Sequence, residues 1–263
     1  MIVIGERING MFKKVREAIA NKDAEFIKDL AIRQVNAGAN ILDINVGTAS
    51  TDHTADMIWL VNAVQSVVSV TLSIDSARHE PLEAGLAAIK GKRMLNSTTG
   101  KEVDLAKLLP MAKKYNASII GLTIDEEGVP ATVDKRVEIA AKIVAGAMDQ
   151  GIPVTDLYID PITLPINCAQ DQPEKMFAAL SQFRMLSDPA PHTTIGLSNI
   201  SQRLQEHQLL NRTFLVMCMA YGLDSAIIDP LDEELMKAVV TADMILNKFI
   251  YADSFLESYR RKV

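Results

Sequence analysis

The sequence predicts an α/β protein built as a single-domain (β/α)8 TIM barrel that spans residues 1–263. Eight short apolar segments alternate with segments of helical periodicity, and no change in composition separates them. Most of the apolar segments end in Asp, Asn or Thr. In a barrel, the C-terminal ends of the strands meet at one rim, where active sites lie. These two observations therefore predict both the fold and the position of a polar site.

The predicted strands are short and rich in Ile, Leu and Val. Strands of a parallel barrel are buried on both faces, so they read as continuous apolar runs rather than as an alternation. In chain order, the predicted strands are 2–4, 40–45, 70–75, 92–96, 118–123, 156–160, 193–195 and 225–230.

The predicted helices have apolar residues at helical spacing, with charged residues between them. The first one, 12–37, carries Ile19, Phe26 and Leu30 and ends before Gly38, a common helix-ending residue. The others are 55–67, 81–89, 103–115, 135–150, 173–185, 209–221, 233–247 and 251–260.

A doubly wound open sheet is the alternative fold for such a pattern. That fold usually carries a G-x-G-x-x-G phosphate loop after its first strand. Here the first turn, residues 5–10, reads Gly-Glu-Arg-Ile-Asn-Gly. The barrel is therefore favoured.

Composition excludes several functional classes. Net charge is −6 and the basic residues are scattered, which argues against a nucleic-acid partner. We expect a cytoplasmic protein, because no signal peptide and no membrane-spanning run is visible. We also expect no metal site, since the cysteines and histidines lack ligand spacing. These residues are Cys168, Cys218, His53, His79, His192 and His207.

Polar residues at the strand ends are the candidate site. Asp75, Asn96 and Asp160 offer carboxylate acceptors and an amide, a set suited to a flat heterocycle with N–H, NH₂ and C=O groups. Asn199 is a neutral amide that can accept from a protonated ring nitrogen, and Gly196 allows close approach of a ligand. The polar residues, like Glu6 and Asn9, could instead cap a helix or satisfy loop amides. Gly196 could simply let neighbouring strands pack.

Several of these segments resemble the pterin-binding methyltransferases, and most closely the methyltetrahydrofolate:corrinoid protein methyltransferases of anaerobic bacteria. The resemblance runs in order from Ile4 to the C-terminus. It is carried by Ile4-Gly5-Glu6-Arg7-Ile8-Asn9, Leu42-Asp43-Ile44-Asn45-Val46-Gly47, Ser73-Ile74-Asp75-Ser76, Leu95-Asn96-Ser97, Tyr158-Ile159-Asp160-Pro161 and Gly196-Leu197-Ser198-Asn199-Ile200-Ser201.

The resemblance implies methyl transfer between methyltetrahydrofolate and the cobalt of a corrinoid on a separate partner protein. The pterin edge would bind the residues Asp75, Asn96 and Asp160, and Asn199 would be catalytic at the methyl-bearing nitrogen. Gly196, Ser198 and Gln202 would lie close by, with Glu6 and Asn9 completing the substrate site. No corrinoid is expected to stay on this chain, and a homodimer is expected.

Three questions stay open at the level of sequence. Transfer could run in either direction, in acetyl-coenzyme A synthesis or in a demethylase system such as O-demethylation. A dihydropteroate synthase-like enzyme and a non-catalytic folate-binding module are the alternatives. Relatives usually carry an arginine eight residues after Asn199, where this chain has His207; Arg203 or Arg212 could take its place.

Overall fold

The computed structural model describes residues 1–248 and confirms the single-domain (β/α)8 barrel. The helix predicted at 251–260 lies outside these residues. The strands are β1 (Ile2–Asn9), β2 (Ile41–Asn45), β3 (Thr71–Asp75), β4 (Arg93–Thr99), β5 (Ala117–Leu122), β6 (Leu157–Asp160), β7 (His192–Thr193) and β8 (Ser225–Ile228). All pairings between neighbouring strands are parallel.

Helices follow the strands around the outside of the barrel. They are α1 (Lys13–Asn21), α2 (Ala24–Asn36), α3 (His53–Gln65), α4 (His79–Ala88), α5 (Glu102–Tyr115), α6 (Val133–Asp149), α7 (Gln172–Phe183), α8 (His207–Ala220) and α9 (Glu233–Ile245). Within residues 1–248, no helix combines the length and the hydropathy that crossing a membrane requires.

The barrel closes between β7 and β8 by a few contacts just beyond the short strand β7. The N–H of Ile227 donates to the carbonyl of Ile195 at 2.9 Å, and Gly196 forms a parallel bridge with Ile227. Lower down, the Ser225 hydroxyl donates to the Thr193 carbonyl at 2.8 Å. β7 is shorter than the predicted strand 193–195 because the chain turns into a 3-10 helix, Leu197–Ser201.

Two apolar layers hold the molecule together. The larger one packs the outward faces of the strands against the helices. The smaller one fills the interior of the barrel, and its buried members are Ile4, Ile41, Met94, Ile120 and Tyr158. This interior layer lies directly below the polar residues at the C-terminal ends of the strands.

The predicted single helix 12–37 is wrong, because the structure has two helices, α1 and α2, in its place. Lys22 takes a left-handed conformation with φ of 54°, which ends α1. Asp23 then starts α2 by accepting a hydrogen bond from the N–H of Phe26 at 3.1 Å. A capping aspartate satisfies an otherwise unpaired amide at a helix start. Lys22 and Asp23 therefore form the break between the two helices.

Candidate functional site

The polar rim of the barrel follows from the two-residue period of its strands. Side chains that face the interior alternate with side chains that face the helices. Two residues after the interior apolar residues, four strands carry a polar side chain: Glu6 on β1, Asp43 on β2, Asn96 on β4 and Asp160 on β6. Strand β3 ends at Asp75. The apolar layer thus passes directly into a ring of carboxyl and amide groups.

Asp43 lies at the centre of one half of this rim. Its Oδ1 atom accepts a hydrogen bond from the Ser73 hydroxyl at 2.7 Å and another from the Asn96 Nδ2 group at 3.0 Å. The side chains of Asp43, Ser73 and Asn96 are all buried. Three adjacent strands are therefore joined through a single carboxyl oxygen.

Asn45 and Asp75 form a second connection just above it. The Asn45 Nδ2 group donates to Asp75 Oδ2 at 2.7 Å, while Asn45 Oδ1 accepts from the N–H of Gly47 at 2.7 Å. Because both ends of the Asn45 amide are occupied, its orientation is determined. Asp75 and Asn96, which the sequence placed together, are neighbours in the register of β3 and β4.

Asp160 belongs to the opposite side of the rim, at the end of β6. Its carboxyl group is buried, and Oδ1 accepts the N–H of Ile162 at 2.7 Å. The backbone N–H of Gly196 faces the same carboxyl and lowers its pKa. The structure thereby brings Asp160 and Gly196 together, as the predicted site requires.

Glu6 projects from an irregularity in β1. The pairing of β1 with β2 shifts register between Gly5 and Ile8, and the Gln34 Oε1 atom accepts the backbone N–H of Arg7 at 3.0 Å within this bulge. The Ser198 hydroxyl lies 2.8 and 2.9 Å from the two Glu6 carboxyl oxygens. The loop after β7 is therefore connected to β1 across the barrel seam.

Arg7 is the basic side chain nearest to Glu6. Its guanidinium lies 3.3 Å from Asp229 Oδ2 and 4.2 Å from the centre of the Phe12 ring. Both members of the ion pair are about one-third exposed, at 34% and 28%. Asp229 thus balances the charge of Arg7 beside Glu6.

Asn199, the predicted catalytic residue, sits in the 3-10 helix after β7 and is exposed. Its Oδ1 atom accepts from the Gln202 Nε2 group at 3.0 Å. Its Nδ2 atom lies 3.0 Å from the position that a Cβ would take on Gly196. The side chain therefore lies against Gly196, and it also lines the cavity described below.

Burial raises the pKa of four rim carboxyl groups. It raises the pKa of Asp43 to about 8, with Asp75 adding to the effect, and the pKa of Asp160 to about 7. Burial also raises the pKa of Glu6 to about 7, against the opposing hydrogen bond from Ser198. Asp75 shifts in the same direction for the same reason. A buried carboxyl without an adjacent cation favours its neutral form.

A cavity of about 790 Å³ opens beside this rim, between the ends of β1, β7 and β8. Five predicted site residues line it, namely Glu6, Asn9, Ser198, Asn199 and Gln202. Asp75, Asn96, Asp160 and Gly196 are not part of its lining. Asn9 also has a local role, because its Oδ1 accepts the N–H of Met11 at 2.9 Å.

Basic groups lie at the outer edge of this cavity. Arg203 and His207 both line it, while Arg212 lies 3.7 Å from Glu234 on another face of the molecule. Of the two arginines that could replace the one missing at position 207, Arg203 is therefore the one at the site.

Sequence reasoning passed over Asp43, Asn45, Ser73 and the Arg7–Asp229 pair as site residues. Asp43 and Asn45 lie two residues apart on one strand, the spacing that places both on the interior face. That spacing could have identified them. Residues 1–248 contain no group of three or more His, Cys, Asp or Glu side chains arranged for a metal, and the expectation of no metal stays a prediction.

Comparisons with known proteins show which sequences this chain resembles. A family model described as pterin binding enzyme matches residues 6–229. The chain is 32% identical to the methylcorrinoid:tetrahydrofolate methyltransferase of Eubacterium limosum, over 99% of this chain and 97% of that protein. It is 34% identical to the methionine synthase of Mycobacterium leprae, over 87% of this chain but only 20% of that larger protein.

Solved structures of similar fold are more distant in sequence. The Yersinia pestis dihydropteroate synthase matches with a TM-score of 0.68 and 15% identity, over 94% of this chain and 93% of that one. The Stenotrophomonas maltophilia dihydropteroate synthase matches with a TM-score of 0.65 and 18% identity, over 94% and 92% of the two chains. At this identity the likeness concerns the fold alone.

Proposed function

This chain belongs to the pterin binding enzymes and is a methyltransferase, and on that basis we propose that it transfers a methyl group from a corrinoid protein to tetrahydrofolate. The direction is supported by the printed name of the Eubacterium limosum relative, which gives methylcorrinoid as donor and tetrahydrofolate as acceptor. The corrinoid would be carried by a separate protein and would not remain bound to this chain.

The observation that carries the proposal is the ring of buried carboxyl and amide groups around the barrel mouth. Asp75, Asn96 and Asp160 supply hydrogen-bond acceptors from three strands, and a reduced pterin carries several N–H donors on one edge. We assign these three residues to the pterin edge. Gly196, beside Asp160, would allow the ring to approach the backbone.

The proposed reaction is a displacement on the methyl carbon. The N5 nitrogen of tetrahydrofolate forms the new N–CH₃ bond, the Co–CH₃ bond breaks with both electrons left on cobalt, and the N5 proton passes to solvent water. We assign Asn199 to N5, where its amide oxygen would accept the N5 proton in a hydrogen bond. That oxygen has two lone pairs, so the bond from Gln202 does not exclude a second donor.

The remaining predicted residues would hold the rest of the substrate. Glu6, Asn9, Ser198 and Gln202 line the cavity beside the rim, where the part of the folate beyond the pterin can be accommodated. Arg203 and His207 stand at the edge of that cavity and would face a carboxylate of the folate tail.

The decisive experiment is methyl transfer by the isolated chain. Methylcobalamin and tetrahydrofolate are mixed with the protein, and methyltetrahydrofolate and Co(I) cobalamin are measured together. We expect both products to form in equal amounts. Tight tetrahydrofolate binding without transfer in either direction would instead indicate the alternative, a non-catalytic folate-binding module.

A dihydropteroate synthase-like activity is the second candidate, and it would use a pterin pyrophosphate. A relative that matches along almost the full length of both chains favours the methyltransferase over fold neighbours at 14–18% identity. Formation of dihydropteroate from a pterin pyrophosphate and p-aminobenzoate would reverse this choice.

We also propose that the protein works as a homodimer in the cytoplasm. Leu209, Met217 and Ile245 are large apolar residues on α8 and α9 with exposed fractions of 56%, 45% and 73%. The free thiols Cys168 and Cys218 suit a reducing compartment. Sedimentation equilibrium should give twice the chain mass, whereas a single-chain mass would reject the dimer.

A further inference from the structure

One buried carboxyl group at the rim has hydrogen-bonded contacts that point to a specific task. Asp43 is 4% exposed and lies beneath the groups proposed to contact substrate. Its Oδ1 atom is used twice, by the Ser73 hydroxyl at 2.7 Å and by Asn96 Nδ2 at 3.0 Å. The proposed function gives this residue no role of its own.

The contact with Asp43 decides which end of the Asn96 amide faces the open site. An amide has a donor end and an acceptor end, and turning it over exchanges them. With Nδ2 held by Asp43, the Asn96 Oδ1 atom is the end left for a ligand. Were the amide reversed, two oxygen atoms would face each other across this contact, and the site would present a donor.

The neighbouring residues follow the same scheme. Asn45 donates to Asp75 Oδ2, and its own oxygen is occupied by the N–H of Gly47. Asp75 therefore keeps its other carboxyl oxygen for a ligand. At Asp160, Oδ1 is bonded to the N–H of Ile162. All three groups proposed to contact the pterin are thus arranged to present oxygen atoms.

We infer that Asp43 is a positioning residue that holds the Asn96 amide with its oxygen toward the site, and thereby selects a ring edge that carries N–H donors. The inference rests on the proposed function, since it assigns the donor edge to the 2-amino side of a reduced pterin. It predicts rejection of a reduced lumazine, in which a carbonyl replaces the 2-amino group.

The acceptor oxygen of Asp43, and not its charge, performs this task. Burial and the nearby carboxyl of Asp75 raise the pKa of Asp43, which favours its neutral form. Because Oδ1 accepts two hydrogen bonds, the proton resides on Oδ2. Asparagine has the shape of this neutral carboxyl and offers the same acceptor.

The test compares the affinities of tetrahydropterin and tetrahydrolumazine by calorimetry. It uses the wild type and three variants, Asp43→Leu, Asp43→Asn and Ser73→Ala. Leucine removes the acceptor for Asn96, asparagine keeps it, and Ser73→Ala removes only the other hydrogen bond to the same oxygen. Thermal melting confirms that each variant is folded, and Asp43→Ala replaces the leucine variant if that one does not fold.

We expect the wild type, Asp43→Asn and Ser73→Ala to prefer the pterin about tenfold or more, the ratio that one mismatched buried hydrogen bond produces. Asp43→Leu should lose most of this preference. A folded Asp43→Leu protein with the wild-type ratio would overturn the inference, and so would loss of the preference in Asp43→Asn. A wild type that binds neither compound would instead refute the proposed function itself, and this inference with it.

Discussion

Among single residues, those proposed to bind the pterin differ in their surroundings from Asn199, the residue proposed to be catalytic. Asp75, Asn96 and Asp160 are buried or partly buried in the rim, where their geometry is imposed by hydrogen bonds from the protein. Asn199 is exposed and bonded only to Gln202 among the described contacts of its side chain. Rigid acceptors suit recognition, whereas an accessible amide can approach the reacting nitrogen.

Replacing Asp160 should affect binding more than the methyl-transfer step. In Asp160→Ala a buried acceptor for the pterin edge is lost, which costs about 1–3 kcal/mol of binding free energy. Calorimetric titration with tetrahydrofolate measures this directly. Wild-type affinity in the folded variant would show that Asp160 does not contact the ligand.

Replacing Asn199 should give the opposite result. In Asn199→Ala the group proposed to stabilise the charged N5 is absent, and loss of one such polar group typically lowers a catalysed rate on the order of 10²-fold. Single-turnover transfer between methylcobalamin and tetrahydrofolate gives the rate, and calorimetry gives the affinity, which should change little. An unchanged transfer rate would remove Asn199 from the catalytic role.

At the scale of secondary-structure elements, the ends of β1 and β2 are in direct backbone contact. A Cβ built on Gly10 would lie 2.1 Å from the carbonyl oxygen of Val46, and Gly47, with φ of 73°, lies against Gly10 from the other side. These glycines hold the loops that follow β1 and β2, the two strands that carry Glu6, Asp43 and Asn45. Close approach of two backbone segments at such a point requires glycine in both segments.

Gly10→Ala should therefore destabilise the protein, by about 1–3 kcal/mol as for other overpacked positions. The obstacle is backbone and not the flexible end of a side chain, so it cannot easily move away. Gly91→Ala is the matched control, because a Cβ there meets nothing within 4 Å. Denaturant unfolding of both variants tests this prediction, and equal stability of the two would contradict it.

At the scale of the whole molecule, folding concentrates carboxyl groups from separate parts of the chain at one end of the barrel. Glu6, Asp43, Asp75 and Asp160 come from four strands, and each has a raised pKa because it is buried there. Ionisation of all four groups would lower the stability of the folded protein. A polar ligand edge that donates hydrogen bonds to them would offset part of that cost.

The raised pKa values predict that the ligand-free protein loses stability as the pH rises. Asp43 releases its proton near pH 3.8 when unfolded and near pH 8 when folded. Between these values the folded state binds more protons, so the free energy of unfolding falls as the pH increases, by about 1.4 kcal/mol per pH unit for each such group. Glu6 and Asp160 add to this fall up to about pH 7.

Urea unfolding between pH 5 and pH 8 tests this dependence. Three carboxylates with lowered pKa values, Asp125, Glu126 and Asp171, act with the opposite sign but only at more acidic pH. Asp43→Asn, which cannot ionise at this position, should show a shallower decline than the wild type. A stability that is constant or increases over this interval would contradict the raised pKa values.

The fold class, the order of the eight strands and the kind of side chain that ends them could all be predicted from the amino-acid sequence. Apolar runs of strand length and helical periodicity are local properties, so they can be read along the chain. The motifs at the strand ends also carry the family, which the comparison with the Eubacterium limosum relative confirms.

Which polar groups meet, and how they are oriented, depends on the three-dimensional packing of the strands. Asp43 and Asn96 are 53 residues apart in the chain, and Glu6 and Ser198 are 192 apart. The first contact exists because β2, β3 and β4 are adjacent in the sheet, and the second because barrel closure brings the segment after β7 to β1. The direction in which an amide faces depends on such partners, so the orientation of Asn96, and the position of Asp43 beneath it, cannot be read from the chain alone.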